Sequence, residues 1–448
     1  MMGVAGLGGI GKIPELRKRV MFTLAMLAVY RLGVFVSVPG IDVAALRRMF
    51  ETSAGTLFDM INMFNGGALE NFSIFTLGIT PYISVSIIMQ LLTPSIPALD
   101  RLKKEGESGQ RIITRYTRYG TVVLALIQGF MIAVGLQKQG IVLRADTWFI
   151  VSTMFTLTAG TAFIMWLGEQ ITERGLGNGT SIIIFAGIVA RMPEVLVGTI
   201  ELARHGDLAP MSVLIMLIFA VLSVAGIIFI ERSQRRVPIQ YPRRNVGNRV
   251  VQAQTQYLPL KLNMAGVIPP IFASAFLVVP ATIASLSGFD FMQDWMKYLA
   301  PGSWSYELMF VGLIVTFSYF YTAVVFNPTE VAENLKKNGG FVPTVRPGKP
   351  TADFLYGILN RLTLWGAVYL AIICVVPQLV YLELGNTSFA QIFGGTAILI
   401  AVGVTLDTAS QIESYFVSRN YEMFMKSSMK PRSGVGSAGY LRSRLLRR

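Results

Sequence analysis

Long apolar runs alternate with short polar stretches over most of this chain. Ten runs stand out, at roughly 20–38, 72–92, 117–136, 148–168, 180–197, 211–230, 264–286, 307–326, 355–380 and 393–410. Each approaches the roughly 20 apolar residues that a helix needs to cross a bilayer. The runs are apolar all round rather than striped, as expected for helices set among lipid and other helices. The pattern predicts an all-α polytopic membrane protein with ten transmembrane helices. The first run is too long for a cleavable signal peptide, and no small-residue cleavage site closes it.

One run differs from the rest. Residues 66–92 read GGALENFSIFTLGITPYISVSIIMQLL, with no charge between Glu70 and Asp100. The stretch carries Gly78, Pro81 and several Ser and Thr residues, and a short apolar piece, Leu57–Leu69, leads into it. A half-length segment before an interrupted full-length one predicts backbone that enters the membrane region and turns back. Such backbone persists only where protein or a water-filled cavity surrounds it. The expected arrangement is a pore with a stopper at about Gly55–Leu69 and one wall at Asn71–Leu92.

Composition agrees with the membrane reading. The chain is 53% hydrophobic and 14% charged, with a mean hydropathy of +0.55, against about 25% charged for a soluble domain. A single cysteine, Cys374, excludes an internal disulfide or a thiolate cluster, and the single histidine, His205, argues against a His-ligated metal. No cofactor is expected. Gly6, Gly8 and Gly11 match G-x-G-x-x-G, but no strand can precede them, so they read as a flexible start.

The net charge of +14 is informative through its placement. If the N-terminus lies inside, the inside segments 1–19, 93–116, 169–179, 231–263, 327–354 and 411–448, with Arg118 and Arg361 at span edges, hold 31 of the 39 Lys and Arg residues. Acidic residues divide almost evenly, 13 inside and 12 outside. Orientation follows Lys and Arg rather than net charge, so both termini are expected in the cytoplasm. Ten spans divide at about residue 200 into 20–200 and 201–410. An odd number of spans per half requires the halves to insert with opposite topology, the geometry of inverted repeats. Residues 1–19 and 411–448 flank them as cytoplasmic segments.

Two inside segments are more than loose charge. Residues 231–263 hold seven Lys and Arg residues against one acid, and alternate apolar and polar positions near Val250–Tyr257, the pattern of short strands. Residues 327–354 read as a short amphipathic helix and then a Pro/Gly-shaped tip presenting Arg346. Ordered basic loops suit phosphate-rich RNA or an acidic protein surface. The basic tail 411–448 reads instead as a solvated segment near anionic headgroups.

Several long motifs resemble those of the SecY family of protein-translocation channels. Besides 66–92, these are KEGESGQRIITRYTRYGT at 104–121, ITERGLGNGTSIIIFAGI at 171–188, RRVPIQY at 235–241 and LPLKLNMAGVIPPIFAS at 258–274. FNPTEVAENLKKNGGFVPTVRPG at 327–348 and RLTLWGA at 361–367 complete the set. Similarity runs over about residues 14–425, and the ending from Ser427 departs from the family's short basic tail. The resemblance implies two inverted five-helix halves around a central hourglass pore, a re-entrant plug helix, an aliphatic ring at the waist, and a lateral gate. By motif position the ring comprises Ile83, Ile87, Ile184, Ile188, Ile271 and Ile400. The plug residues are Leu57, Phe58, Met60, Ile61, Met63 and Phe64. The gate lies between spans two and three on one side and seven and eight on the other, near Gln90, Asn263, Pro269 and Pro270. Arg346 is implied to engage a motor or ribosome, with Lys336, Lys337, Arg243, Arg244 and Arg249 in support. The implied partners are the small subunits SecE and SecG, the SecA ATPase, the ribosome and its RNA, signal peptides and nascent chains, and membrane lipid.

The chemistry of these residues is compatible with the resemblance. Ile83 and Ile87, like Ile184 and Ile188, are four apart and share a helix face. Stiff β-branched side chains suit a collar of fixed diameter, although Ile pairs at this spacing also commonly face lipid or another helix. Pro81 and the Pro269-Pro270 pair are expected to bend spans two and seven. Gln90 and Asn263, at the inside ends of those spans, are expected either to be hydrated or to pair across the gate. GLGNGT at 175–180 reads as a tight entry turn, since no Lys follows to complete a phosphate loop. A secondary transporter would place ionisable residues at mid-span, where few occur here. An intramembrane enzyme would need a catalytic constellation that the sequence lacks. The expectation is a passive channel, not an enzyme, driven by its partners.

Overall fold

The computed structural model describes residues 14–52, 62, 65–138, 140–143, 146–241, 244–246, 249–251, 254–287, 303–385, 389 and 393–428. Helices dominate it. In chain order they are α1 (Pro14–Val34), α2 (Val43–Thr52), α3 (Thr80–Ser95), α4 (Pro97–Lys104), α5 (Glu107–Lys138), α6 (Thr147–Arg174), α7 (Gly179–His205) and α8 (Pro210–Glu231). After a strand region come α9 (Ile268–Ser287), α10 (Trp304–Val325), α11 (Pro328–Lys337), α12 (Lys349–Glu383) and α13 (Gly395–Ser428).

Seven described helices are long and apolar enough to cross a membrane, and the bent pair α3–α4 makes an eighth. The other two expected spans coincide with α1 and α9, of 21 and 20 residues. The ten expected runs therefore each meet a helix. Several helices outrun their apolar run, because a helix continues past the bilayer wherever polar residues allow. α5 starts at Glu107 and α13 continues to Ser428.

The second run is not one helix. Residues 65–79 are mostly turns, and only Thr80–Ser95 is helical. Sixteen residues at about 1.5 Å each give about 24 Å, short of the ~30 Å hydrocarbon core, so the turn segment must supply the rest of the crossing. Gly78 has φ +57°, and a Cβ there would lie 1.9 Å from Asn65 Oδ1. Only glycine accepts both demands.

The bends expected at Pro81 and at Pro269-Pro270 do not occur there. Pro81 lies in the first turn of α3, and Pro269 and Pro270 lie in the first turn of α9. A first-turn N–H has no partner inside the helix, so proline there costs no hydrogen bond and presets φ. The sharp break is instead the 96° bend between α3 and α4, where Ile96 is extended between Pro94 and Pro97.

Between α8 and α9 the chain forms strands β1 (Gln234–Tyr241), β2 (Arg244–Val246), β3 (Arg249–Val251) and β4 (Gln254–Lys261). β1 pairs antiparallel with β4 from Gln234↔Lys261 to Tyr241↔Gln254, and β2 pairs with β3. Val237 and Ile239 are buried while Pro238 and Gln240 are exposed, the period of two expected of a strand with one covered face. That face packs on α12 and the loop after α11, where Val237, Leu260, Val342, Ile358 and Leu362 form a cluster. Gln240 and Phe341 exchange backbone hydrogen bonds of 2.9 and 3.0 Å. The two basic loops are thus one unit.

Candidate functional site

Four helices converge near the middle of the bundle. α7 contributes buried Ile184 and Ile188, and α13 contributes buried Ile400. Half-buried Ile83 from α3 and Ile271 from α9 pack against the same cluster. Ile188 and Ile400 have no solvent exposure. Ile87 departs from this set. It belongs to a neighbouring cluster with Phe272, Ala273 and Ala275 of α9, because one turn along α3 the partner is α9 rather than the centre. Ile83 touches both clusters.

A cavity of about 340 Å³ opens on this convergence. Ile83, Ile184 and Ile271 contribute its apolar lining, while Gln90, Thr114, Arg118, Glu169, Glu173 and Asn178 contribute polar groups. Arg118 donates to Glu169 at 2.7 Å, so opposite charges face one another across α5 and α6. Asn178 caps α7 by accepting from the Thr180 and Ser181 amides. The cavity therefore joins polar groups on part of its wall to aliphatic side chains on the rest. Aliphatic groups offer no hydrogen bonds to a passing chain, and a narrow apolar constriction excludes ions by dewetting.

α3 and α9 pack together, and Ile87 lies in one apolar cluster with Phe272 and Ala275. Gln90 and Asn263 do not pair across this contact. Gln90 donates to Ser86 of its own helix at 3.3 Å. Asn263, 3% exposed, donates to Glu231 at 2.7 Å and to the Gly266 carbonyl at 2.9 Å. Burial explains the choice, since a buried amide must be satisfied locally, and Glu231 at the end of α8 is its nearest strong acceptor.

The six proposed plug residues, Leu57, Phe58, Met60, Ile61, Met63 and Phe64, lie outside the described residues. Arg243 does too, and for Arg244 and Arg249 only the strand backbone is described. The described residues at the end of the proposed stopper range, and Glu70 just beyond it, are held by groups that sequence reasoning missed. Tyr30 Oη donates to the Asn65 carbonyl at 3.2 Å, and Arg31 Nη1 donates to the Gly66 carbonyl at 2.6 Å. Arg191 of α7 pairs with Glu70 at 3.1 Å. The one available signal was that Arg31 and Arg191 both sit within otherwise apolar runs, where a charge needs a partner. Glu307, in the first turn of α10, is 5% exposed, and its carboxyl oxygens have no hydrogen-bond partner among the described residues.

Arg346 is exposed on the loop after α11. Its backbone is fixed by the Thr351 hydroxyl, which donates to the Arg346 carbonyl at 2.8 Å. Its neighbour Val345 packs on the hairpin cluster. Lys336 and Lys337 are exposed in the last turn of α11, where cations favour the helix terminus.

A family model described as SecY matches residues 73–409. Protein translocase subunit SecY of Escherichia coli strain K12 is 48% identical over 432 residues, covering 94% of this chain and 96% of that protein. The chain belongs to the SecY family. Membership makes it a multi-pass membrane protein of a translocase family. The fold is also that of a solved protein conducting channel, with a TM-score of 0.64 at 15% identity, covering 92% of this chain and 97% of that one. Sec61 in a canine ribosome-channel complex from the endoplasmic reticulum has the same fold, at TM-score 0.60, 14% identity and the same coverage.

Proposed function

We propose that this chain is the channel-forming subunit through which unfolded secretory polypeptides cross the cytoplasmic membrane. It has no catalytic role of its own. The observation that carries the reading is the convergence of Ile83, Ile184, Ile188, Ile271 and Ile400 at a cavity of about 340 Å³ whose wall is part polar and part aliphatic. Residues 20–200 and 201–410 act as the two halves, with the stopper at 55–69. Both termini and the basic hairpin lie in the cytoplasm, where Lys and Arg accumulate.

An incoming chain enters the cavity, where water and side chains can satisfy its backbone. At the aliphatic ring it meets no hydrogen-bonding group that would hold it, so passage costs little binding energy. The ring closes around the chain and limits ion flow. Apolar segments of signal peptides and membrane proteins leave sideways between α3 and α9, whose shared cluster at Ile87, Phe272 and Ala275 is apolar and therefore replaceable by lipid or by the segment itself. SecE and SecG complete the complex. SecA or a ribosome drives the chain, engaging Arg346 first, with Lys336, Lys337, Arg243, Arg244 and Arg249 around it. Ribosomal RNA is a suitable partner for that cationic surface.

The test is a photocrosslinker placed at Ile83 or Ile271 in the assembled complex while a precursor is trapped in transit. The expected result is an adduct with the precursor at both positions. Its absence at both, with the precursor shown to be trapped, refutes the pore assignment.

A further inference from the structure

Glu70 joins the segment beyond the stopper to a ring helix through one oxygen. Its Oε2 accepts from Arg191 Nη2 at 3.1 Å and from Asn62 Nδ2 at 3.4 Å. Asn62 is 1% exposed, and its own Oδ1 accepts from the backbone amides of Leu69 and Glu70 at 3.2 and 3.1 Å. Asn62 lies within the stopper range and closes a loop around Glu70. Arg191 lies on α7 three residues after Ile188 and seven after Ile184. That spacing puts Arg191 on the face that carries both ring residues, one turn beyond them.

We propose that the Glu70–Arg191 pair is a positioning latch that ties Asn62 and the 65–70 segment, the end of the stopper range, to the ring helix α7 in the closed channel. The inference rests on the reading of 55–69 as stopper. Its physical basis is the placement of the charges. The Glu70 and Arg191 side chains are 31% and 16% exposed, so the pair is sheltered from water and salt more than a surface ion pair. Either charge left alone in that setting lacks compensation, which ties the two elements together. Moving Asn62 and Glu70 away from α7 must break their link to Arg191, which stays on the ring helix. A second grip at the same place, Arg31 on the Gly66 carbonyl, binds only backbone and is indifferent to the charge of residue 70. Charge at Glu70 is therefore the element that tunes closure, while the neutral contacts locate the segment.

The experiment uses the full-length chain assembled in its complex in planar bilayers, without precursor. The variants are Glu70→Gln, Arg191→Gln and the reversed pair Glu70→Arg with Arg191→Glu, and Ile188→Asn serves as a ring control. A charged hydrogen bond supports about a ten- to hundredfold bias in an equilibrium. Each single variant is expected to raise resting ion conductance by about tenfold or more at unchanged channel abundance, and the reversed pair is expected to return it towards the wild-type level. A pair with a merely structural role would lower abundance and leave conductance per channel unchanged, which overturns the latch. Silent single variants alongside a leaking Ile188→Asn overturn the latch alone. Silence in all of them, Ile188→Asn included, overturns the pore reading beneath it. A reversed pair that leaks as much as the single variants also counts against the latch.

Discussion

Replacing Ile188 by Asn tests the ring most directly. Ile188 has no solvent exposure and packs in the cluster that also holds Ile184 and Ile400. Asn is smaller and brings an amide with four hydrogen-bonding positions into that cluster. Burying such a group without partners costs about 1–3 kcal/mol on mutational scales, and the lost aliphatic contacts add to it. In the open channel the same side chain faces water, so the penalty disappears there. The closed state is therefore destabilised relative to the open one by at least about 1–3 kcal/mol, equivalent to a roughly five- to 150-fold shift. Ile188→Val removes a single methylene, costs about 0.5–1.5 kcal/mol and keeps the ring dry. The assay is ion conductance of the reconstituted complex without precursor, normalised to channel abundance. Asn is expected to leak strongly and Val barely. Equal conductance for Asn, Val and wild type would falsify the claim that Ile188 seals a pore.

Three further outcomes are expected. Arg346→Glu should cut motor-driven transport several-fold with thermal stability unchanged, because the side chain is exposed and surface changes usually stay within about 0.5 kcal/mol; wild-type transport rates in membrane vesicles would remove Arg346 from its assigned role. Cysteines at Ile87 and Phe272, in a Cys374→Ser background, should form an oxidant-dependent link between α3 and α9 that blocks export, and export that continues with the link complete would rule out this seam as the exit. Gly78→Ala should destabilise the fold by about 1–3 kcal/mol or more, since it combines positive-φ strain with a clash against Asn65 Oδ1 at 1.9 Å; the readout is the detergent-melting midpoint and the amount of channel in membranes, and an unshifted midpoint would show that the turn relaxes freely.

Some of this protein could be read from the sequence alone because the bilayer imposes a simple rule. Every apolar run of sufficient length must satisfy its backbone internally, so helix number follows from counting. Each of the ten expected runs meets a helix. The strand character near Val250–Tyr257 was also legible from its alternating apolar and polar residues, and β3 and β4 fall there, although the buried alternation itself lies on β1 at Val237 and Ile239. Proline misled, since its effect depends on its position in the helix. Pro81, Pro269 and Pro270 begin helices instead of bending them, and no periodicity locates a first turn to within a residue. Tertiary structure alone decided which distant groups meet. Five isoleucines from four helices converge while Ile87 turns to the α9 seam. Asn263 chooses Glu231 over Gln90, and Glu70 finds Arg191 across more than a hundred residues. Those pairings follow from desolvation. Inside a bundle each polar group takes whichever partner packing brings within about 3 Å, and a linear sequence carries no record of that distance.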